Sequence, residues 1–456
     1  MEGQERKLGL GKRVWLSIIL VGFIGQLAWA IENQYINLWV YSQSGDANHI
    51  NWMTNASAIV AAITTFFVGA LSDRIGKRRI IIAIGYTVWG VTVFLFGVMS
   101  LSNMAALTGG DMAKAMLLVG VSNVIVDSVM TFFGSSANDA CYSAFVTDKT
   151  DKKTRPFVES VISVMPLLAV ALMMVLGLAF GLPGEQGELS NEQFAEEIAS
   201  PWLYFFLTCG ALTTAVGIGC FFLLPKDEIK PNREKNYLLN LVDGFRPKTM
   251  KQSPLFYLCL LVFLFFNIAV DSFMPYYLVY FQESLGFEGL SFYGAMAIII
   301  GIASASVIFA GLFMDRLGKM KFLLPSILSM AVGALILFLA SSNAYLSVFG
   351  GVVLMAGYLI GTAAIGARLR DETPEDKVGS LQGVRMIFAV MLPMIIGSNL
   401  SALCFQSDYV NEYGVTAARP DKWMFIVTLS ASIVALVPAT TLLIIDRKKA
   451  KAGIKG

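Results

Sequence analysis

Apolar residues run along this chain in long, nearly unbroken blocks, and short polar clusters separate them. Twelve blocks stand out, near 14–40, 51–71, 80–101, 115–137, 157–181, 202–224, 255–281, 290–313, 322–341, 345–367, 380–404 and 423–445. Each is about 20 residues or more, enough to cross a hydrocarbon core of roughly 30 Å as a helix. Backbone amides in lipid must be satisfied within their own segment or in a closed barrel. The short alternating strands of a barrel are missing from the pattern, so the blocks predict an all-α membrane protein of twelve transmembrane helices.

The polar clusters set the expected orientation. Lys and Arg fill alternate gaps: Arg6 to Arg13, Arg74 to Arg79, Lys149 to Arg155, Lys226 to Lys251, Arg316 to Lys321, Arg368 to Lys377 and Arg447 to Lys455. The opposite gaps hold only Lys114, Arg419 and Lys422. Because cytoplasmic loops carry the excess of positive charge, both termini are expected in the cytoplasm, with an even number of spans. The first block ends in Ala28-Trp29-Ala30 after a basic start, which imitates a signal-peptidase site. Cleavage there would leave an odd number of spans, so the segment is read as a retained helix.

Composition agrees: 56% of residues are hydrophobic and 14% charged, against roughly 25% charged in an average soluble domain. The net charge of +2 reflects topology and implies no nucleic-acid partner. The five cysteines all fall within or beside apolar blocks without metal-ligand spacing, and the single histidine, His49, lies in an external gap. Neither a metal centre nor a catalytic triad within the membrane can be assembled from these residues. With no GxxxxGK[ST] loop to hold a nucleotide, no cofactor is expected and the chain is not read as an enzyme.

The second half repeats the first. "AIENQYINLWVY" at 30–41 returns as "AVDSFMPYYLVY" at 269–280, placing Asp271 where Glu32 stood. "GALSDRIGKRR" at 69–79 returns as "GLFMDRLGKMK" at 311–321, pairing Asp73 with Asp315 and Arg74 with Arg316. Such duplication predicts two six-helix bundles related by an axis along the membrane normal, with a substrate site near the midplane. The expected boundaries are 1–224 for the first bundle, 225–253 for a cytoplasmic linker and 254–456 for the second. Within the linker, 237–245 reads as either a short interfacial helix or a loop.

The twofold Gly-x-x-x-Asp-Arg-x-Gly-Lys loop resembles the signature loop of the major facilitator superfamily. The resemblance implies a transporter, and a latching role for Asp73, Arg74, Asp315 and Arg316 when the inner side is closed. "NDACYSAFVTDKTDKKTR" at 138–155 is similar to the end of span four in glycoside-pentoside-hexuronide:cation symporters of the melibiose-permease type, and its spacing is similar to that of sucrose-proton symporters. That likeness implies sugar binding by Asp139 and Tyr142. "GSLQGVRMIFAVMLPMIIGS" at 379–398 resembles span eleven of the same groups. Two departures count: Ser143 replaces an arginine of the sucrose type, and Ser57 and Ala61 replace the span-two acids of the sodium-linked type. A sodium site of that kind is therefore not expected.

Charged side chains at membrane depth cost roughly 2.5 to 3.5 kcal/mol each on insertion scales, so those retained point to a partner or a function. They are Glu32, Asp127, Asp139, Glu159, Asp271 and Arg385. Helical spacing puts Trp29, Asn33 and Tyr35 near Glu32, and Asn267 one turn before Asp271. Asn123, Asp127, Thr131, Gly134 and Asn138 form a polar stripe that reads as pore-lining. Carboxylates and amides suit sugar hydroxyls, and flat aromatics suit sugar faces. The expected substrate contacts are thus Trp29, Glu32, Asn33, Tyr35, Asp127, Asp139, Tyr142, Asn267, Asp271 and Tyr276. Glu32, Asp271 and Asp139 are the expected proton carriers. Arg385 is expected to pair with Asp139 or Glu159 across the halves when the inner gate is shut. The sequence reading is a sugar or glycoside importer, favouring a disaccharide, driven by protons in a bacterial cytoplasmic membrane. Its alternative is an uncoupled or sodium-coupled facilitator or exporter on the same fold.

Overall fold

The computed structural model describes residues 10–150, 154–182, 184, 189–227, 244–340, 343–374, 378–410 and 415–451. Among them are 12 helices long and apolar enough to cross a membrane: Lys12–Ser44, Ala47–Ile75, Arg78–Val98, Met112–Lys149, Phe157–Ala179, Gln193–Leu223, Pro254–Ser284, Gly289–Met314, Met320–Ala340, Ala344–Asp371, Gly383–Ala402 and Met424–Lys449. They follow the twelve apolar blocks in order and are numbered here as spans one to twelve.

Several spans outrun their blocks because polar residues cap them beyond the apolar stretch. Ser190 and Gln193 exchange reciprocal hydrogen bonds at the start of helix Asn191–Leu223, the arrangement that satisfies two free N–H groups at a helix end. Span four is capped by Asp111, whose carboxylate accepts the Lys114 N–H at 3.1 Å. Span ten is capped by Asn343, which accepts the Leu346 N–H at 3.0 Å. The twofold loop turns on glycine in both copies, with φ of +67° at Gly76 and +96° at Gly318. An L side chain is strained there, which explains why the repeat keeps glycine at this place.

Three elements were not foreseen. Helix Leu101–Leu107 follows span three, helix Pro247–Gln252 precedes span seven, and Gln406–Val410 pairs antiparallel with Thr416–Arg419 between spans eleven and twelve. Of the expected linker, residues 228–243 lie outside the described residues, and with them most of the 237–245 stretch.

The chain divides into two compact units, Met1–Gly45 with Ile59–Lys235, and Asp46–Ala58 with Asn236–Gly456. In the first, spans three and six meet where Gly90 faces Gly210 and Gly217 faces Thr87, with no room for an added Cβ. In the second, spans nine and ten meet in the same way, at Gly333 against Leu354 and Gly357 against Met330. Small residues allow this backbone approach where lipid gives helices little hydrophobic drive to associate.

Candidate functional site

Within the first unit, spans one and four both abandon the regular α-helix at their polar stretch. Ile31–Ile36 and Ser135–Tyr142 are wound as π-helix, a rare conformation concentrated at functional sites because it re-aims side chains. Glu32 sits in the first of these stretches, and Asn138 and Asp139 in the second. The Asn33 amide donates to the Trp29 carbonyl at 2.8 Å, a contact within the loosened turn of span one.

Glu32 is 8% exposed. The Thr131 hydroxyl donates to its Oε1 at 3.1 Å, while Oε2 has no hydrogen-bond partner among the described residues. Asp127, one turn before Thr131 and 1% exposed, is an electrostatic neighbour of Glu32, as is Asp139. Asp139 accepts from the Asn138 amide at 3.1 Å, with Ser135 and Trp29 near its carboxyl group. The structure thus gathers Trp29, Glu32, Asp127 and Asp139 from two spans into one buried patch.

Two residues that complete this patch were not singled out from sequence. Trp89 on span three packs against Trp29 with ring centroids 4.9 Å apart. The Tyr86 hydroxyl lies 3.0 Å from both the Val21 carbonyl and Asn138 Oδ1, at a place where Gly25 leaves no room for a Cβ. Their signal in the sequence was weak, because an aromatic in an apolar span is usually packing or a belt residue. The stripe on span four is buried in the interior of the first unit: Asn123, Asp127, Thr131 and Asn138 all fall in the buried class. Thr131 bonds to Glu32 on span one and Asn138 accepts from Tyr86 on span three.

Tyr35 and Tyr142 are engaged with protein. The Tyr35 hydroxyl donates to the Met173 carbonyl at 2.9 Å, and that of Tyr142 to the Ile18 carbonyl at 2.7 Å. Both rings are buried, and Asn33 is exposed.

In the second unit the acid stands apart. Asp271 is the last residue of helix Pro254–Asp271, where the chain passes through Ser272 and Phe273 into a 3-10 turn at Met274–Tyr276. Its electrostatic neighbour is Tyr358 on span ten. The Asn267 amide, one turn earlier, donates to the Ala389 carbonyl on span eleven at 2.5 Å, beside the π-helical stretch Ile387–Met391. The Tyr276 hydroxyl lies 3.4 Å from both Asn51 Oδ1 and the Ser398 carbonyl, with its ring fully buried.

Asn51 belongs to a ring of three amides within this unit. It donates to Asn399 at 3.1 Å, Asn399 donates to Asn55 at 2.8 Å, and Asn55 donates back to Asn51 at 3.1 Å. The Asn51–Asn55 spacing of four residues was a visible signal. Its third member, hundreds of residues away, was not.

The expected latch residues fall out differently from their motif. Asp73 pairs with Arg78 at 2.6 Å, and Arg78, 7% exposed, also reaches Asp148 at 3.2 Å. Arg74 and Arg316 are exposed, and the side chain of Asp315 lies outside the described residues. The second unit closes its corresponding end with Lys319 on Asp371, and with Arg368 on Glu372 and Asp446 at 2.8 Å each. Glu159 is exposed. Arg385 has Arg370 as its charged neighbour in the second unit.

Residues 14–398 match the sequence profile described as Major Facilitator Superfamily. Among solved structures, a D-xylose-proton symporter is similar at 14% identity with a TM-score of 0.67, covering 92% of this chain and 97% of that one. A mutant of the nucleoside transporter NupG gives 0.66 at 12% identity, covering 94% and 99%. The xylose transporter XylE from E. coli, in a partially occluded inward-open conformation, gives 0.63 at 14% identity, covering 94% and 97%. At such identities the likeness concerns the fold alone. No curated protein matches the sequence.

Proposed function

The chain belongs to the major facilitator superfamily, and from that premise we propose that it imports a sugar or glycoside, a disaccharide before a monosaccharide, by proton symport with alternating access. It is a multi-pass membrane protein, which we place in a bacterial cytoplasmic membrane with both termini inside. We take residues 1–224 and 254–456 as its two six-helix bundles and 225–253 as the linker. Within the superfamily, its span-four and span-eleven motifs argue for the branch of glycoside-pentoside-hexuronide and sucrose symporters.

The observation that carries this reading is the buried patch on spans one and four. There an aromatic, Trp29, neighbours Asp139, and Glu32 is bonded by Thr131 beside Asp127. Indole faces and carboxylates are what a sugar's apolar face and hydroxyls require. Among the described residues, no Lys or Arg is a neighbour that acts on Glu32 or Asp139. Carboxyl groups gathered in one buried patch can pass a proton among themselves as their surroundings change, and this supports coupling at Glu32 and Asp139. Asp271 and Asn267 would supply the second unit's polar contacts. The D-xylose-proton symporter lends support of the same kind from a distant member of the fold. We place Asp73, Arg78 and Asp148 in one cytoplasmic latch, and Lys319, Asp371, Arg368 and Asp446 in the other.

Uptake of labelled mono- and disaccharides into cells, with and without an uncoupler, tests the proposal. Accumulation that the uncoupler abolishes, and that Glu32→Gln loses, is the expected result. Uptake indifferent to the uncoupler would remove the proton from the reading.

A further inference from the structure

Among the polar atoms of the patch that have no hydrogen-bond partner among the described residues, a donor and an acceptor are complementary. Trp89 is fully buried, and its indole Nε1 donor is unpaired; Glu32 is 8% exposed, and its Oε2 acceptor is unpaired. Both side chains lie on the same stretch of span four. Glu32 is bonded at Thr131, and Trp89 lies over Gly134, where an added Cβ would stand 3.0 to 3.2 Å from the fused edge of the indole. Residues three apart on a helix share a face, and their separation along the axis is about 4.5 Å. The Glu32 and Trp89 side chains therefore meet one face of span four about one turn apart.

We propose that the Trp89 indole N–H and Glu32 Oε2 form a hydroxyl-binding pair that receives one hydroxyl of the transported sugar. A hydroxyl is the small group that accepts one hydrogen bond while donating another, so it satisfies both atoms at once. An ether or a methylene cannot do both. Trp29, half-buried, packs against Trp89 with ring centroids 4.9 Å apart and is the more exposed ring of the two. Tyr86, 5.4 Å from Trp89 on the same span, braces the indole from within. The proposal deepens the sugar-transport reading and rests on it.

The test uses the full chain in proteoliposomes with labelled xylose, maltose, melibiose and sucrose, followed by the mono-deoxy analogues of whichever sugar is taken up best. Trp89→Phe keeps an aromatic ring and deletes the N–H. It is expected to raise KM about tenfold with little change in Vmax, the scale of one hydrogen bond to a neutral group. One deoxy analogue is expected to show the same loss with the native protein and no further loss with Trp89→Phe. Equal weakening of every analogue by Trp89→Phe, or an unchanged KM, overturns the pairing while leaving transport intact. If the native protein takes up none of the four sugars, the sugar reading itself fails and the pairing with it. Should Trp89→Phe fold poorly, benzothienylalanine at position 89, which has the shape of Trp without the N–H, gives the same readout.

Discussion

The two units carry the same repeated motifs and arm them with different chemistry. In the first, the span-one acid is one of three neighbouring carboxyl groups, with Thr131 donating to it and Asp127 and Asp139 close by. In the second, Asp271 has Tyr358 as its electrostatic neighbour and no other acid among the described residues acts on it, and the dense polar cluster nearby is the neutral ring of Asn51, Asn55 and Asn399. Clustered carboxyls can exchange protons, because each one's charge alters the cost of ionising the next. Amides cannot titrate. On the proposed function, ion handling falls to the first unit and holding or positioning to the second.

The sharpest way to break this comparison is to neutralise the two aligned acids in turn. Glu32→Gln is expected to end concentration of the substrate altogether, leaving equilibration or exchange. Asp271→Asn is expected to slow uptake about tenfold while leaving it concentrative, the cost of weakening one hydrogen-bonding group rather than the coupling site. Counterflow and uncoupler-sensitive accumulation, measured on the same vesicles, separate the two. If Asp271→Asn abolishes accumulation and Glu32→Gln does not, the assignment is reversed.

Next in size is Thr131→Val, which keeps the shape of the side chain and removes the donor to Glu32 Oε1. A neutral hydrogen bond contributes about 0.5 to 1.5 kcal/mol, so uptake should fall roughly 2- to 10-fold, and Thr131→Ser should recover most of it. Recovery by serine distinguishes a hydroxyl at work from mere packing. On the other side of the comparison, Asn399→Leu leaves the Asn51 and Asn55 amides each short of a partner. It should lower stability by about 1 to 3 kcal/mol, read as thermal unfolding in detergent. It should also leave proton dependence unchanged, since no member of the ring titrates.

Much of this architecture is legible along the chain. The spans follow from block length, and the acids stand out because charge in lipid is costly. The duplicated loop shows itself in a glycine that must adopt positive φ at both Gly76 and Gly318. What stays hidden depends on winding and on distant partners. Spans one and four switch to π-helix at Ile31 and Ser135, so a face drawn with a period of 3.6 residues drifts away from its true direction just where the site lies. In span four the stripe residues Asn123, Asp127, Thr131 and Gly134 precede the switch, and only Asn138 lies beyond it. The ion pair of Asp73 goes to Arg78 rather than Arg74, because the turn at Gly76 folds the next helix start back over the acid. The Asn399 amide closes a ring with residues of span two, which no local pattern records.

The smallest expected effect lies outside the membrane and restates the contrast in miniature. Span four begins on an acid cap, Asp111, and span ten on an amide cap, Asn343. The Asp111 carboxyl is held below its ordinary value of 3.8, first by its hydrogen bond with the Lys114 side chain and then by the Lys114 backbone N–H. A carboxyl whose folded value is depressed adds stability above the ordinary carboxylate range and loses it as pH falls through the depressed value. The native protein should therefore lose a small increment of thermal stability on acidification that Asp111→Asn does not lose. Because Asn caps a helix about as well as Asp, the two proteins should converge at acid pH and differ at neutral pH, where the carboxylate also favours the positive end of the helix dipole. The Asp111 side chain is 40% exposed and the Lys114 side chain 74%, so salt should shrink the difference at neutral pH. A Tm difference that persisted at acid pH would mean that Asp111 acts through packing or cap geometry rather than charge, and the acid-for-amide contrast would then not extend to the helix ends.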